Sequence, residues 1–167
     1  MSLASTGTFT AAAIGQAGAA AHPAGRRRVA VIGAGAAGLC AARHLLARGV
    51  EVVVYELGTC IGGLWVFNND NGIAPAYQSL HLNSEAKVTA YRDYPFPQDG
   101  PLYPDHRQVR RYLESYAEKF GVTPHIRFNS RVADIAPLAG DRWRVKLEDG
   151  SGGDFDAVVV GSAGVPG

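Results

Sequence analysis

Apolar runs and helical stripes alternate along the chain from Val29 onward. Val29-Ala30-Val31-Ile32 is a continuous apolar run stopped by Gly33. Such a run predicts a strand buried on both faces. From Ala36 to Arg48 the period changes. Gly38, Ala42, Leu45 and Leu46 share one narrow face at helical spacing, while Arg43, His44 and Arg48 fall on another. Gly49 supplies a helix stop. Val50 to Tyr55 is a second apolar, β-branched run and predicts a second strand. Strand, helix and strand in so short a span predict a right-handed βαβ unit with a parallel pair.

The pattern then breaks. From Gly58 to Pro104 there is no sustained period, and Gly62-Gly63 and Asn68-Asn69-Asp70-Asn71-Gly72 are turn signals. A long irregular stretch inside a compact domain is usually functional. Asp105 followed by Gln108 predicts a capping box at a helix start. Val109, Tyr112, Leu113, Tyr116 and Phe120 form its apolar stripe, which ends at Gly121. The aromatics of that stripe are read as core. Ile126 to Ile135 predicts a strand interrupted near Asn129. Trp143, Val145 and Leu147 alternate with charged residues and predict a half-buried antiparallel strand. A turn at Asp149-Gly150-Ser151-Gly152-Gly153 leads to a final strand, Phe155 to Val160. Val158-Val159-Val160 predicts burial on both faces of that strand.

Composition fits a folded domain. The chain has 167 residues, 47% hydrophobic and 19% charged, enough apolar surface to exclude a disordered charged tail. Sixteen Lys and Arg against 15 Asp and Glu leave a charge of +1. That balance predicts no nucleic-acid partner. No apolar run reaches the length of a membrane span. Residues 1–27 are rich in Ala and Gly and read as a flexible tail, with residues 28–167 as the folded part. Cys40 and Cys60 make no disulfide framework, so a reducing, cytoplasmic compartment is expected. Cys40 reads as a small buried residue. The five His residues show no metal-ligand spacing.

The chemistry-bearing signal is Gly33-Ala34-Gly35-Ala36-Ala37-Gly38. It follows a strand, opens a helix, and is followed by a strand ending in Glu56. That is the full context of a dinucleotide fingerprint. Gly33 allows the tight turn, Gly35 lets the backbone approach a pyrophosphate, and Gly38 lets helix and strand pack closely. The first helical turn, with Ala36 and Ala37, offers free N–H groups and a partial positive charge. Glu56 lies 18 residues beyond Gly38, where its carboxylate can accept from ribose hydroxyls and repel a 2′-phosphate. FAD or NAD(H) therefore fits better than NADP(H). Gly62-Gly63-Leu64-Trp65 follows closely. Its glycines can reach the same pyrophosphate and its apolar pair can line a flavin, which favours FAD.

With these elements the chain resembles the N-terminal part of a flavin-containing monooxygenase, from about Val29 to its end. Three further stretches carry the resemblance: Tyr77-Gln78-Ser79-Leu80-His81-Leu82-Asn83, Asp93-Tyr94-Pro95-Phe96-Pro97, and Phe155 through Gly164. The resemblance implies an α/β, Rossmann-like FAD-binding fold, a parallel sheet with a βαβ unit plus a β-meander, here incomplete. It implies that Gly33, Gly35, Ala36, Ala37 and Gly38 hold the FAD pyrophosphate and Glu56 the adenosine ribose. Gly63, Leu64 and Trp65 would lie beside the flavin half, and Val132 would meet the adenine through its backbone. Asn83 would sit at the reactive edge of the flavin, as the catalytic candidate. The chain departs from the family at Leu57, where an Arg is common, and at Ala86, where a basic residue is usual.

In such enzymes NADPH reduces FAD, O₂ adds to form a C4a-hydroperoxyflavin, and one oxygen atom passes to an amine nitrogen or a sulfide. The second glycine fingerprint for NADPH is absent before Gly167. The expected parent is thus a longer NADPH-dependent monooxygenase acting on a small nucleophile, and this chain alone is expected to be inactive. The alternatives are a non-catalytic flavin-binding fragment, a Baeyer–Villiger oxygenase, and a flavin disulfide reductase. The last predicts a redox Cys pair near Gly62-Gly63, where Cys60 stands alone.

Overall fold

The computed structural model describes residues 27–73 and 75–161. The expected tail lies outside them except for residue 27, as do Ser162, Ala163 and Gly164 of the C-terminal motif. Strand β1 (Arg28–Ile32), helix α1 (Ala36–Leu46) and strand β2 (Glu51–Tyr55) form the βαβ unit that the pattern predicts. A short helix α2 (Ala86–Thr89) interrupts the irregular stretch. Helix α3 (His106–Lys119) follows, and then β3 (Ile126–Arg127), β4 (Val132–Leu138), β5 (Arg142–Leu147), β6 (Gly152–Phe155) and β7 (Ala157–Val160).

The strands make two sheets. One is parallel, in the order β3-β2-β1-β7, and the other is an antiparallel meander, β4-β5-β6. Val31 is in register with Val54 on one side and Val159 on the other. Because side chains alternate along a strand, β1 and β2 feed two cores. Val31, Val52 and Val54 pack with Leu39 and Ala42 of α1 and with Val109, Leu113 and Tyr116 of α3. Ala30, Ile32, Val53 and Tyr55 pack against Val145, Leu147 and Phe155 of the meander. The result is three layers, helices on sheet on meander, an α/β Rossmann-like arrangement.

The strand predicted from Ile126 to Ile135 is two strands in two sheets. The break falls at Asn129, whose φ of 52° turns the chain out of the parallel sheet. The strand predicted from Phe155 to Val160 is also two. Asp156 stands between β6 and β7, and its carboxylate accepts from the Arg28 N–H at 2.7 Å while its own N–H donates to the Arg28 carbonyl at 2.8 Å. That exchange fastens the chain as it leaves the meander and joins β1. Burial of β7 on both faces is only half met. Val158 packs on the meander side and Val159 on the helical side, but Val160 is 51% exposed. Within the described sheet β7 is an edge strand, so one flank lacks a covering neighbour. Cys40, expected to be buried, is half-buried.

The irregular stretch is held by contacts rather than by regular elements. Arg43 on α1 pairs with the Asp93 carboxylate and stacks over the Phe120 ring at 3.7 Å. The hydrogen bond from Arg43 holds the Asp93 carboxyl below its ordinary value, and the same bond raises that of Arg43. Phe96 stacks on Tyr112 with centroids 3.9 Å apart, and the Tyr112 hydroxyl donates to the Tyr94 carbonyl at 2.6 Å. The Asp93-to-Pro97 motif therefore fixes the loop to α1 and α3. Among the described residues no helix is long and apolar enough to cross a membrane.

The capping box is present in full. The Asp105 carboxylate accepts from the Gln108 N–H at 2.8 Å, and the Gln108 side chain accepts from the Asp105 N–H at 2.9 Å. That bond from the Gln108 N–H holds the Asp105 carboxyl below its ordinary value. Asp105→Ala is expected to lower stability by about 1 kcal/mol in denaturant melts at neutral pH. A carboxyl with a depressed folded value stabilises above its unfolded value and loses that effect as pH falls through the folded one. The gap between wild type and Asp105→Ala is therefore expected to narrow below about pH 4.

Candidate functional site

The site begins where β1 stops. Gly33 adopts a φ of 98°, a conformation that L side chains rarely take. Its N–H donates to the Tyr55 carbonyl at 2.8 Å. The next amide, Ala34, donates to the Glu56 carboxylate at 2.6 Å, and Gly58 donates to the other oxygen of that carboxylate at 2.8 Å. Glu56 is 4% exposed. Two amide donors offset the cost of burying its charge. A carboxylate offers about four acceptor directions, so capacity for a ligand hydroxyl remains.

Helix α1 then starts with an open end. Gly35 is its N-cap, and among the described residues no side chain caps the first turn. The early amides of a helix lack partners within it and carry partial positive charge. Gly63 lies against this turn. A Cβ on Gly63 would sit 3.0 Å from the Gly35 Cα, and Gly62 donates to the Ala34 carbonyl at 3.2 Å. The fold thus brings together the two glycine elements that the sequence analysis paired.

A cleft of about 400 Å³ opens over them, within the range of small-molecule sites. Gly33, Gly35, Ala36, Ala37, Glu56, Gly63, Leu64, Trp65 and Val132 all line it. Gly38 lies beneath it, and its Cα and amide pack against Gly161. Asn83 is exposed and lies outside the cleft. A larger depression of about 710 Å³ runs along Tyr94–Pro101 and α3 and contains none of the fingerprint residues.

The cleft also contains residues that sequence reasoning missed. Asn71 and Ile73 arrive because Thr59 donates twice to the Asp70 carboxylate, at 3.2 and 2.7 Å, which draws the turn back over the site. Those bonds hold the Asp70 carboxyl below its ordinary value. Ser130 and Arg131 arrive because the Ser130 N–H donates to the Glu56 carbonyl at 2.8 Å. No local pattern marks these four. Gly161 could have been found, since it follows the last strand directly and stands in the C-terminal motif.

The three fingerprint glycines are not equivalent. A Cβ on Gly38 would fall 1.9 Å from the Gly33 carbonyl oxygen, whereas a Cβ on Gly35 would meet only the Gly63 Cα, at 3.6 Å. Gly38→Ala is expected to destabilise the chain by about 3 kcal/mol. Gly35→Ala, with a φ of −85° that alanine adopts freely, is expected to change stability by less than about 1 kcal/mol. Denaturant melts of the two variants check the order.

Comparison with known proteins agrees with this geometry. The model of a family described as flavin-binding monooxygenase-like matches residues 26–163. Flavin-containing monooxygenase FMO GS-OX-like 6 of Arabidopsis thaliana is 39% identical over 160 residues, covering 80% of this chain and 34% of the relative. Flavin-containing monooxygenase 1 of Homo sapiens is 34% identical over 143 residues, covering 80% and 27%. Among solved structures, the S-allyl-L-cysteine S-oxygenase of Allium sativum superposes with a TM-score of 0.72 at 35% identity, covering 81% of this chain and 36% of that one. An oxidised steroid monooxygenase bound to NADP gives 0.71 at 27% identity, covering 85% and 28%. The chain spans about a third of the length of the curated relatives it matches. With its glycine turn, buried acid and three-layer fold, it belongs to the flavin-binding monooxygenase-like family.

Proposed function

We propose that this chain is the FAD-binding portion of an FAD- and NADPH-dependent monooxygenase that transfers one oxygen atom from O₂ to a soft nucleophile. The observation that carries the reading is the uncapped first turn of α1 facing a glycine-lined cleft beside a buried, amide-bonded carboxylate. An FAD fits these residues. The amides of Ala36 and Ala37 would receive the pyrophosphate, with Gly38 packed beneath them, and Glu56 has acceptor capacity left for the adenosine ribose. Val132 would meet the adenine, with Leu64 and Trp65 beside the flavin half. Leu64 is 53% exposed, an apolar surface ready to be covered. Asn83 is assigned the reacting edge on the strength of the resemblance, and its side chain is free to meet a ligand.

When bound and reduced by NADPH, FAD supplies the oxygen-activating chemistry. The residues of this chain hold the cofactor and orient it. Leu64, Trp65 and Ile73 would keep water from one side of it. The acceptor is read as an amine nitrogen or a sulfide sulfur. The higher identity to the garlic S-oxygenase, 35% against 27% for the steroid monooxygenase, supports that reading over Baeyer–Villiger chemistry. The sequence holds one G-x-G-x-x-G, which this reading gives to FAD. NADPH is then bound by the remainder of a longer protein, and the chain alone oxidises no NADPH.

The test is titration of the purified chain with FAD, followed by the flavin's visible absorbance and fluorescence. Saturable binding is expected. Glu56→Ala is expected to weaken it at least tenfold, since a hydrogen bond to a charged group is worth about 1.5–3 kcal/mol. Failure of the wild-type chain to take up FAD contradicts the reading.

A further inference from the structure

The Tyr91 hydroxyl donates to the Ala36 carbonyl at 2.6 Å. Ala36 is the first residue of α1, so this bond reaches the turn whose amides face the cleft. The Ala36 carbonyl and the Ala37 N–H belong to one planar peptide unit and point in opposite directions. A donor that fixes the carbonyl therefore fixes the N–H as well, and it polarises the unit so that the N–H donates more strongly. Ala37 lines the cleft and Tyr91 does not. Tyr91 thus acts on the site through the helix rather than by contact with a ligand.

Tyr91 is itself held from two further directions. Its N–H donates to the Tyr112 hydroxyl at 2.8 Å, and its ring lies 4.3 Å from the Tyr116 ring. Both partners belong to α3 and are buried. Burial raises the Tyr91 phenol above its ordinary value, so it stays a protonated donor. A second tie runs parallel to it, since Arg43 of α1 pairs with Asp93, two residues along the same loop.

We propose that Tyr91 is a positioning residue, whose hydroxyl holds the first turn of α1 in the orientation in which its amides receive an anionic diphosphate. The identity of that ligand rests on the FAD reading above. Tyr91→Phe keeps the ring stack and removes only the bond to Ala36. Tyr94→Phe serves as the control. It lies in the same aromatic cluster, and its hydroxyl donates to Ser115 at 2.8 Å, on α3 rather than α1.

Both variants of the full chain are compared with wild type in FAD affinity, in thermal midpoint, and in amide hydrogen exchange of Leu39 and Cys40, the first bonded amides of α1, without FAD. Tyr91→Phe is expected to weaken FAD about fivefold and to speed exchange in that turn by a similar factor. Tyr94→Phe is expected to leave both within about twofold, with a comparable fall in midpoint. Equal losses of affinity in the two variants, or unchanged affinity and exchange in Tyr91→Phe, would overturn the proposal. If wild type takes up no FAD, the FAD reading fails, and exchange alone decides the role of Tyr91.

Discussion

The buried Glu56 carboxylate is the constraint on which the site depends. It follows β2 directly and is bonded by the amides of Ala34, in the turn after β1, and Gly58, in the loop after β2. The ends of the two central strands are joined there through one side chain. Its backbone carbonyl also accepts from Ser130, which brings the entry to β4 to the same point. A buried charge without partners is costly, so the amides and the carboxylate hold one another in place. The glycine turn follows from this arrangement. With Ala34 fastened below, Gly35 and the first turn of α1 face the cleft, and no side chain among the described residues caps them.

A second set of contacts turns a loop of weak pattern into a wall of the domain. Tyr91, Asp93, Tyr94 and Phe96 each bind α1 or α3 by a different interaction: a hydroxyl to a helix carbonyl, an ion pair, an edge-on ring and a face-stacked ring. Aromatic pairs of this kind add to the area they bury. The Arg43–Asp93 pair, half-exposed on the Asp93 side, contributes modestly as an ion pair, but its guanidinium also lies on Phe120. The loop thus sits on the helical layer, while the meander covers the opposite face of the sheet.

Much of this was readable from the sequence, because the relevant rules are local. The apolar runs at β1 and β2, the glycine spacing, the acid at the end of β2 and the Asp105–Gln108 box all depend on residues close in the chain. The residues missed depend on the tertiary fold. Asp156 splits what read as one continuous strand, and the interruption expected near Asn129 is a change of sheet, because alternation of side chains does not show which sheet a strand joins. Ser130 and Arg131 reach the cleft only because the chain crosses over Glu56 at that point. Asn71 and Ile73 reach it through the hold of Thr59 on Asp70. Asn83 is the converse. The resemblance marks it for the reacting edge, and the fold leaves it exposed outside the cleft.

The central claim is that the Glu56-anchored glycine turn is the seat of a dinucleotide. A crystal structure of the chain with FAD tests it most directly. The account predicts the pyrophosphate against the amides of Ala36 and Ala37, with Glu56 still accepting from Ala34 and Gly58. A phosphate bound elsewhere, such as in the depression beside Phe96 and Arg111, or a Glu56 released from Ala34 on binding, would contradict it.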